Sequence, residues 1–123
     1  MGRYIDKQLI GTYLNLGKTI EVFLGRINID KTVISYLELT KNTDNKIQVK
    51  LYDHFDEGDL NWLDIYDFSY VDEDEEFEVM QFDNIETTIE GIKTRFQINE
   101  VKFVNSGIIQ DEYSDLLKSE GRT

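Results

Sequence analysis

The sequence predicts an α+β fold, in which an antiparallel sheet of four to five strands carries an N-terminal helix and two C-terminal helices packed mainly on one face. Three features lead to this prediction. Segments in which apolar and polar residues alternate are typical of strands with one buried and one hydrated face. Segments in which apolar residues recur every three to four positions are typical of amphipathic helices. The strands come before most of the helices, and this order favours the α+β class.

These elements belong to one predicted domain, residues 1–123. A chain of this length is typical of a single domain and buries roughly two thirds of the surface that its unfolded form exposes. The sequence contains no internal repeat, no linker and no apolar segment long enough for a transmembrane helix. The first seven residues lack the apolar segment of a secretory signal, and there is no cysteine. We therefore expect a cytoplasmic protein.

The first half of the chain is predicted to form one helix and three strands. The helix covers residues 6–16, and Asp6 and Gly17 are suited to its two ends. Its apolar face comprises Leu9, Ile10, Tyr13 and Leu14. The strands cover residues 18–24, 32–39 and 46–52. Polar residues separate the last two strands, which favours a turn, so these strands are predicted to form an antiparallel hairpin with one hydrated face.

The second half is predicted to form a loop, an extended segment, an acidic loop, a short strand and two helices. These elements cover residues 53–61, 62–70, 71–76, 77–82, 84–96 and 106–118, respectively. Asn84 is a favourable N-cap for the first of the two helices, and Ser106 for the second. Alternation is imperfect in the extended segment, because Asp64 falls on the same side as Trp62 and Tyr66.

Residues 51–92 contain fifteen of the 25 acidic residues and none of the 13 lysines and arginines. The net charge of −12 therefore comes from one third of the chain. Eight aromatic residues lie among these acids, too many for a disordered acidic tail. We expect a folded, negatively charged surface that attracts basic partners and repels nucleic acids and anionic membranes. Solubility alone is the alternative explanation, since many cytosolic proteins are acidic.

No motif for catalysis or metal binding stands out. His54 is the single histidine, and we expect it at the surface, where neighbouring acids favour its charged form. Carboxylate pairs are too numerous for any one of them to indicate glycoside hydrolysis. The acidic run at residues 72–76 lacks the glycine and glutamate spacing of an EF-hand. We therefore expect a non-enzyme without a cofactor. A calcium- or small-molecule-binding domain is one alternative, and an enzyme that uses His54 or a carboxylate pair is another.

Three segments together resemble small bacterial immunity proteins of polymorphic-toxin and contact-dependent growth inhibition systems. They are IEVFLG at residues 20–25, DEGDLNWLDIYDF at residues 56–68 and FVNSGIIQDEY at residues 103–113. The resemblance spans most of the chain as spaced segments. It implies a protein without enzymatic activity that binds a cognate toxin domain, often a basic nuclease, and blocks it. Contacts to the toxin vary among such proteins, so the resemblance assigns no role to an individual residue.

The charge pattern and the resemblance predict a partner-binding surface in the middle of the chain. Its candidate carboxylates are Asp53, Asp56, Glu57, Asp59, Asp64, Asp67, Asp72, Glu73 and Asp74, and its candidate aromatic anchors are Trp62 and Tyr66. Aromatic side chains supply binding energy, and carboxylates pair with lysine and arginine of the partner. Core packing is the favoured alternative for Trp62, Phe68 and Phe82. We expect a monomer that binds neither nucleic acid nor membrane. A phage-type inhibitor that mimics nucleic acid and acts on a defence enzyme shares the same electrostatics and is the alternative function.

Overall fold

A computed structural model of the chain describes residues 3–27, 32–71 and 78–121. Its five strands form one antiparallel sheet in the order β4-β3-β2-β1-β5. In chain order the elements are α1 (Lys7–Asn15), β1 (Ile20–Gly25), β2 (Val33–Lys41), β3 (Ile47–Phe55), β4 (Val79–Phe82), α2 (Ile85–Phe96), β5 (Val104–Asn105) and α3 (Ile109–Ser119). The predicted α+β class, with one N-terminal and two C-terminal helices, is confirmed.

The β2–β3 hairpin is the centre of the sheet. Its nine residue pairs run from Val33 opposite Phe55 to Lys41 opposite Ile47. The turn between the strands depends on Asn42, whose side-chain oxygen accepts hydrogen bonds from the backbone N–H groups of Asp44 and Lys46, both at 3.0 Å. Side-chain to backbone bonds of this kind are the reason why Asn favours turns. The predicted hairpin and its polar turn are confirmed.

One face of the sheet is covered by α1 and α2. Leu37 and Leu39 of β2 are fully buried there, together with Ile10 of α1 and Ile92 of α2. The remaining members of this core are also mainly aliphatic. The prediction placed the helices mainly on one face, and two of the three helices pack there.

The opposite face is covered by α3 and by the loop that follows β3. Ile34 and Tyr36 of β2 are buried there against Phe68 of the loop and Tyr113 and Leu117 of α3. The hydrated face predicted for the hairpin is therefore wrong over this part of β2, since residues of both parities are buried from Val33 to Leu37. The second face is partly exposed toward β3 and β4, at alternate residues of β3, and toward the end of β2 at Glu38 and Thr40.

Two local predictions require correction, and a third is confirmed. Residues 62–70 are not extended but form a compact turn around a 3₁₀-helix, Ile65–Asp67, because Ile65 and Phe68 both point into the core. The helix α3 begins after a turn at Gly107 rather than at a Ser106 cap. Asn84 caps α2 as predicted and accepts a hydrogen bond from Thr87 N–H at 2.9 Å. Most of the predicted acidic loop, residues 72–76, lies outside the described residues.

The two edges of the sheet differ. Beside β5, the N-terminal segment continues the sheet: Tyr4 forms a bridge with Val104, and Ile5 N–H donates to the Phe103 carbonyl at 2.7 Å. At the other edge, β4 pairs with β3 on its inner side. None of the described helices is long and apolar enough to cross a membrane.

Candidate protein-binding surface

Residues 56–71, here called the β3 loop, contain five acidic residues and no lysine or arginine. The two ends of the loop lie side by side at the end of β3. Phe55 N–H donates to the Ser69 carbonyl at 2.8 Å, and Val71 N–H donates to the Asp53 carbonyl at 3.3 Å. Asp56 N–H is bonded to the Thr32 carbonyl at 2.7 Å. The loop is therefore closed on itself and attached to the two central strands.

Close packing fixes the interior of the loop. Gly58 lies under Trp62 and Phe68, so closely that a Cβ atom at this position would be 2.3 Å from the Trp62 carbonyl oxygen and 2.4 Å from Phe68 Cζ. Ile65 and Phe68 are buried on the sheet. A surface loop with a buried interior of its own has a fixed backbone, so less backbone entropy is lost on binding.

Asp56 anchors the loop through a buried ion pair. Only 4% of its side chain is exposed, and Arg26 Nη2 lies 2.5 Å from Asp56 Oδ2. The Tyr113 hydroxyl donates to the other carboxylate oxygen. Arg26 is also bound to Glu120 at 2.7 and 2.8 Å, and these two carboxylates raise its pKa. The Asp56 carboxylate thus joins the loop to β1 and α3 and does not face outward.

Tyr66 provides a second anchor. Its hydroxyl donates to Glu21 Oε1 at 2.6 Å and accepts from Gly107 N–H at 2.9 Å. Glu21 lies on β1 and is 1% exposed, and burial raises its pKa, although its carboxylate accepts hydrogen bonds from Tyr66 and from Gly107 N–H (3.0 Å) that oppose the shift. Tyr66 is nevertheless 37% exposed. Tyr66 therefore has one buried polar end and one side that reaches solvent.

His54 is buried in a stack of tyrosines, so the prediction of a charged surface histidine is wrong. Its ring is nearly parallel to Tyr36 at 5.6 Å and lies 4.6 Å from Tyr70. Nδ1 is 3.0 Å from the Phe68 carbonyl and donates to it in the neutral tautomer. Burial lowers the pKa of His54, and its Nε2 has no hydrogen-bond partner among the described residues. This histidine packs the β3 loop against the sheet.

The outward side of the loop carries carboxylates without cations. Asp59, Asp64 and Asp67 are exposed, and Glu57 is exposed while bound to Ser69 N–H and Oγ at 2.6 and 3.0 Å. None of these four forms an ion pair within residues 3–27, 32–71 and 78–121. Their field is therefore directed to solvent and to any partner that approaches.

Trp62 lies among these carboxylates and is 42% exposed. One edge of its ring contacts Phe68, with the ring centroids 4.9 Å apart and the planes at 73°. The alternative of plain core packing is confirmed for Phe68, which is buried, whereas Trp62 is only half covered. A large aromatic ring supported from below and open above is typical of the residues that dominate binding energy at protein interfaces.

The candidate residues thus divide into two groups. Asp56 is internal, and Asp53 lies on β3, partly buried, where its carboxylate accepts a hydrogen bond from Ser35. The outward group comprises Glu57, Asp59, Trp62, Asp64, Tyr66 and Asp67. The other three candidates, Asp72, Glu73 and Asp74, lie outside the described residues. Within the described ranges, no three His, Asp or Glu side chains are grouped closely enough to hold a metal ion.

Sequence reasoning missed the anchoring partners of the loop. Arg26 and Tyr113 are 30 and 57 positions from Asp56, and Glu21 is 45 positions from Tyr66. No local pattern connects residues at such separations. Comparison with known proteins finds no matching family model, no matching curated protein and no matching solved structure. Assignment to the immunity proteins therefore stays a prediction.

Proposed function

We propose that this protein is an immunity protein that binds a basic toxin domain of the nuclease type and neutralises it in the cytoplasm without enzymatic action of its own. The observation that carries the proposal is the β3 loop. It is held by buried bonds through Asp56 and Tyr66 and displays, around a half-exposed Trp62, carboxylates that form no ion pair with any described residue.

The two components of this surface have different roles in binding. Trp62 supplies the apolar contact that a partner covers, and its support by Phe68 means that little side-chain entropy is lost. Asp59, Asp64 and Asp67 attract lysine and arginine of the partner and increase the rate of encounter. Salt should therefore slow association strongly while it changes dissociation less.

The test uses the toxin domain that the proposal expects to be encoded immediately upstream. Co-expression of this chain should rescue cells from that domain, and the purified pair should form a complex. Trp62→Ala should weaken the complex by at least about thirtyfold, the effect of a hot-spot residue. The double variant Asp64→Asn/Asp67→Asn should mainly reduce the association rate.

A matched control is offered by Asp44 and Glu100, which are exposed and lie outside the loop. Asp44→Asn/Glu100→Gln makes the same change in net charge, and the association rate should stay within about twofold of the native value, because general charge effects are weak at physiological salt. If the two double variants changed the association rate equally, the electrostatic effect would come from the overall charge of the protein and not from the β3 loop. Absence of rescue by the native chain would reject the proposed function.

A further inference from the structure

The outer edge of β4 presents backbone hydrogen-bonding groups to solvent. In an antiparallel pair, opposite residues alternate between pairs that exchange hydrogen bonds and pairs that do not. Leu51 N–H donates to the Glu78 carbonyl at 2.9 Å, and the register places Val79 opposite Lys50 and Gln81 opposite Gln48. Val79 and Gln81 are therefore the non-bonded positions, so their N–H and C=O groups point away from β3.

These outward groups have no backbone partner among the described residues. The opposite edge of the sheet differs, because Tyr4 and Ile5 continue it beyond β5. Strand edges that remain open attract further strands, and proteins normally cover or charge them. Val79 is 45% exposed, and none of the described residues pairs with this edge through its backbone.

An open groove of about 660 Å³ runs beside the same edge, between β4 and α2. Met80 and Phe82 of the strand and Gly91 and Thr94 of the helix line it. Gly91 is required for this shape, since a Cβ atom there would be 2.4 Å from the Phe82 ring. The groove has the position and the mainly apolar lining to receive a side chain from a strand placed against β4.

The charges beside the groove select a basic occupant. Arg95 forms a two-pronged ion pair with Glu78 at 2.7 and 2.8 Å, so its charge is already compensated. Glu90 also lines the groove and has no ion pair within the described part of the chain. The uncompensated charge is negative. A second copy of this chain is a poor occupant, because each copy carries a net charge of −12.

We propose that the outer edge of β4 binds an extended, basic segment of a protein partner as a sixth strand, with an apolar side chain of that segment in the groove beside Gly91. This surface is distinct from the β3 loop, and the proposal does not depend on the proposed function. Backbone bonds would come from Val79 and Gln81, and Glu90 would pair with a lysine or arginine of the segment.

The test titrates the ¹⁵N-labelled full chain with a short synthetic peptide in which lysines alternate with valine and phenylalanine. Amide shifts should change saturably at Val79, Gln81 and Gly91, and amide exchange of Val79 and Gln81 should slow. The control peptide has the same sequence and charge but carries N-methyl groups on the backbone edge that would face β4. It should bind about 25-fold more weakly, since it cannot donate to the carbonyls of Val79 and Gln81 and each lost hydrogen bond costs roughly fivefold in affinity. Equal binding of both peptides, or shifts confined to the β3 loop, would overturn the proposal.

Variants of the chain give an independent measurement. Gln81→Pro removes an outward donor and leaves the bonds to β3 intact, a position where strands tolerate proline. It should weaken peptide binding about fivefold, and thermal unfolding checks that the fold is kept. Glu90→Gln should also weaken binding, whereas Glu86→Gln, the same change on α2 outside the groove lining, should not. If the native chain self-associates and Gln81→Pro abolishes that self-association, the edge binds a second copy of the chain and the proposed basic partner is rejected.

Discussion

Replacing Asp56 by Asn separates an anchoring role from a surface role. The substitution keeps the size of the side chain and removes its charge. If Asp56 were a surface contact, Asp56→Asn would leave stability unchanged and affect only binding. In the structure this carboxylate is 4% exposed and bound to Arg26 and Tyr113. We therefore expect the free energy of unfolding to fall.

The magnitude follows from the bonds that remain. An Asn side chain still accepts a hydrogen bond, and Arg26 keeps Glu120 at 2.7 and 2.8 Å. Complete loss of one partner of a buried ion pair costs roughly 3–5 kcal/mol. A hydrogen bond to a charged group contributes roughly 1.5–3 kcal/mol. Because Arg26 stays paired, we expect the smaller value, a loss of about 2–3 kcal/mol.

The assay is urea unfolding followed by two signals. Trp62 is the single tryptophan and packs on Phe68, so its fluorescence reports on the β3 loop, while far-ultraviolet circular dichroism reports on the whole fold. Asp64→Asn is the matched control, because Asp64 is exposed in the same loop and should change stability by less than about 0.5 kcal/mol. Equal stability of the Asp56→Asn and Asp64→Asn proteins would refute the anchoring role.

Three further predictions concern glycine packing, histidine burial and helix capping. Gly58→Ala should destabilise the fold by about 1–3 kcal/mol through overpacking. In the same urea assay, Gly11→Ala should stabilise the fold by up to about 1 kcal/mol, because a Cβ atom at this position of α1 meets no atom within 4 Å. Burial lowers the pKa of His54 from its ordinary value of 6.5. Below that pH the unfolded chain therefore binds more protons than the folded chain, so the free energy of unfolding should fall as the pH falls through 6.5 toward the folded-state pKa. Comparing unfolding free energies between pH 7.5 and 5.5 should show a steeper loss for the native chain than for His54→Gln, and parallel curves would contradict the assignment. Asn84→Ala should cost about 1 kcal/mol in thermal unfolding and Asp6→Ala much less, because only Asn84 makes a side-chain cap bond; equal losses would show that the cap bond contributes nothing.

The sequence predicted the elements whose signals are local. Alternation in β3 and the polar residues around Asn42 were sufficient for the hairpin, and Asn84 marked the start of α2. The 3₁₀ turn at Ile65–Asp67 was missed because Trp62, Tyr66 and Phe68 are spaced as in a strand, whereas a tight turn buries Ile65 and Phe68 instead. Such a choice depends on tertiary packing, which overrides local preference.

The candidate surface was predicted only as a region. Its outward carboxylates could be named because the segment lacks bases, but the pattern did not distinguish Asp56 from Asp64. The difference between them arises from Arg26 and Tyr113, which reach Asp56 from β1 and α3. His54 was misjudged for the same reason, since its neighbours in sequence are acids and its neighbours in space are tyrosine rings.

The sheet separates two interiors that differ in chemistry. The side under α1 and α2 is mainly aliphatic, while the side under α3 and the β3 loop combines aromatic rings with buried polar bonds. Substitutions on the outward side of the β3 loop leave the aliphatic interior of the other side untouched. The outward residues can therefore change while the architecture is kept, and a mutational scan that measures stability should show tolerance at Asp59 and Asp64 and intolerance at Leu37 and Ile92.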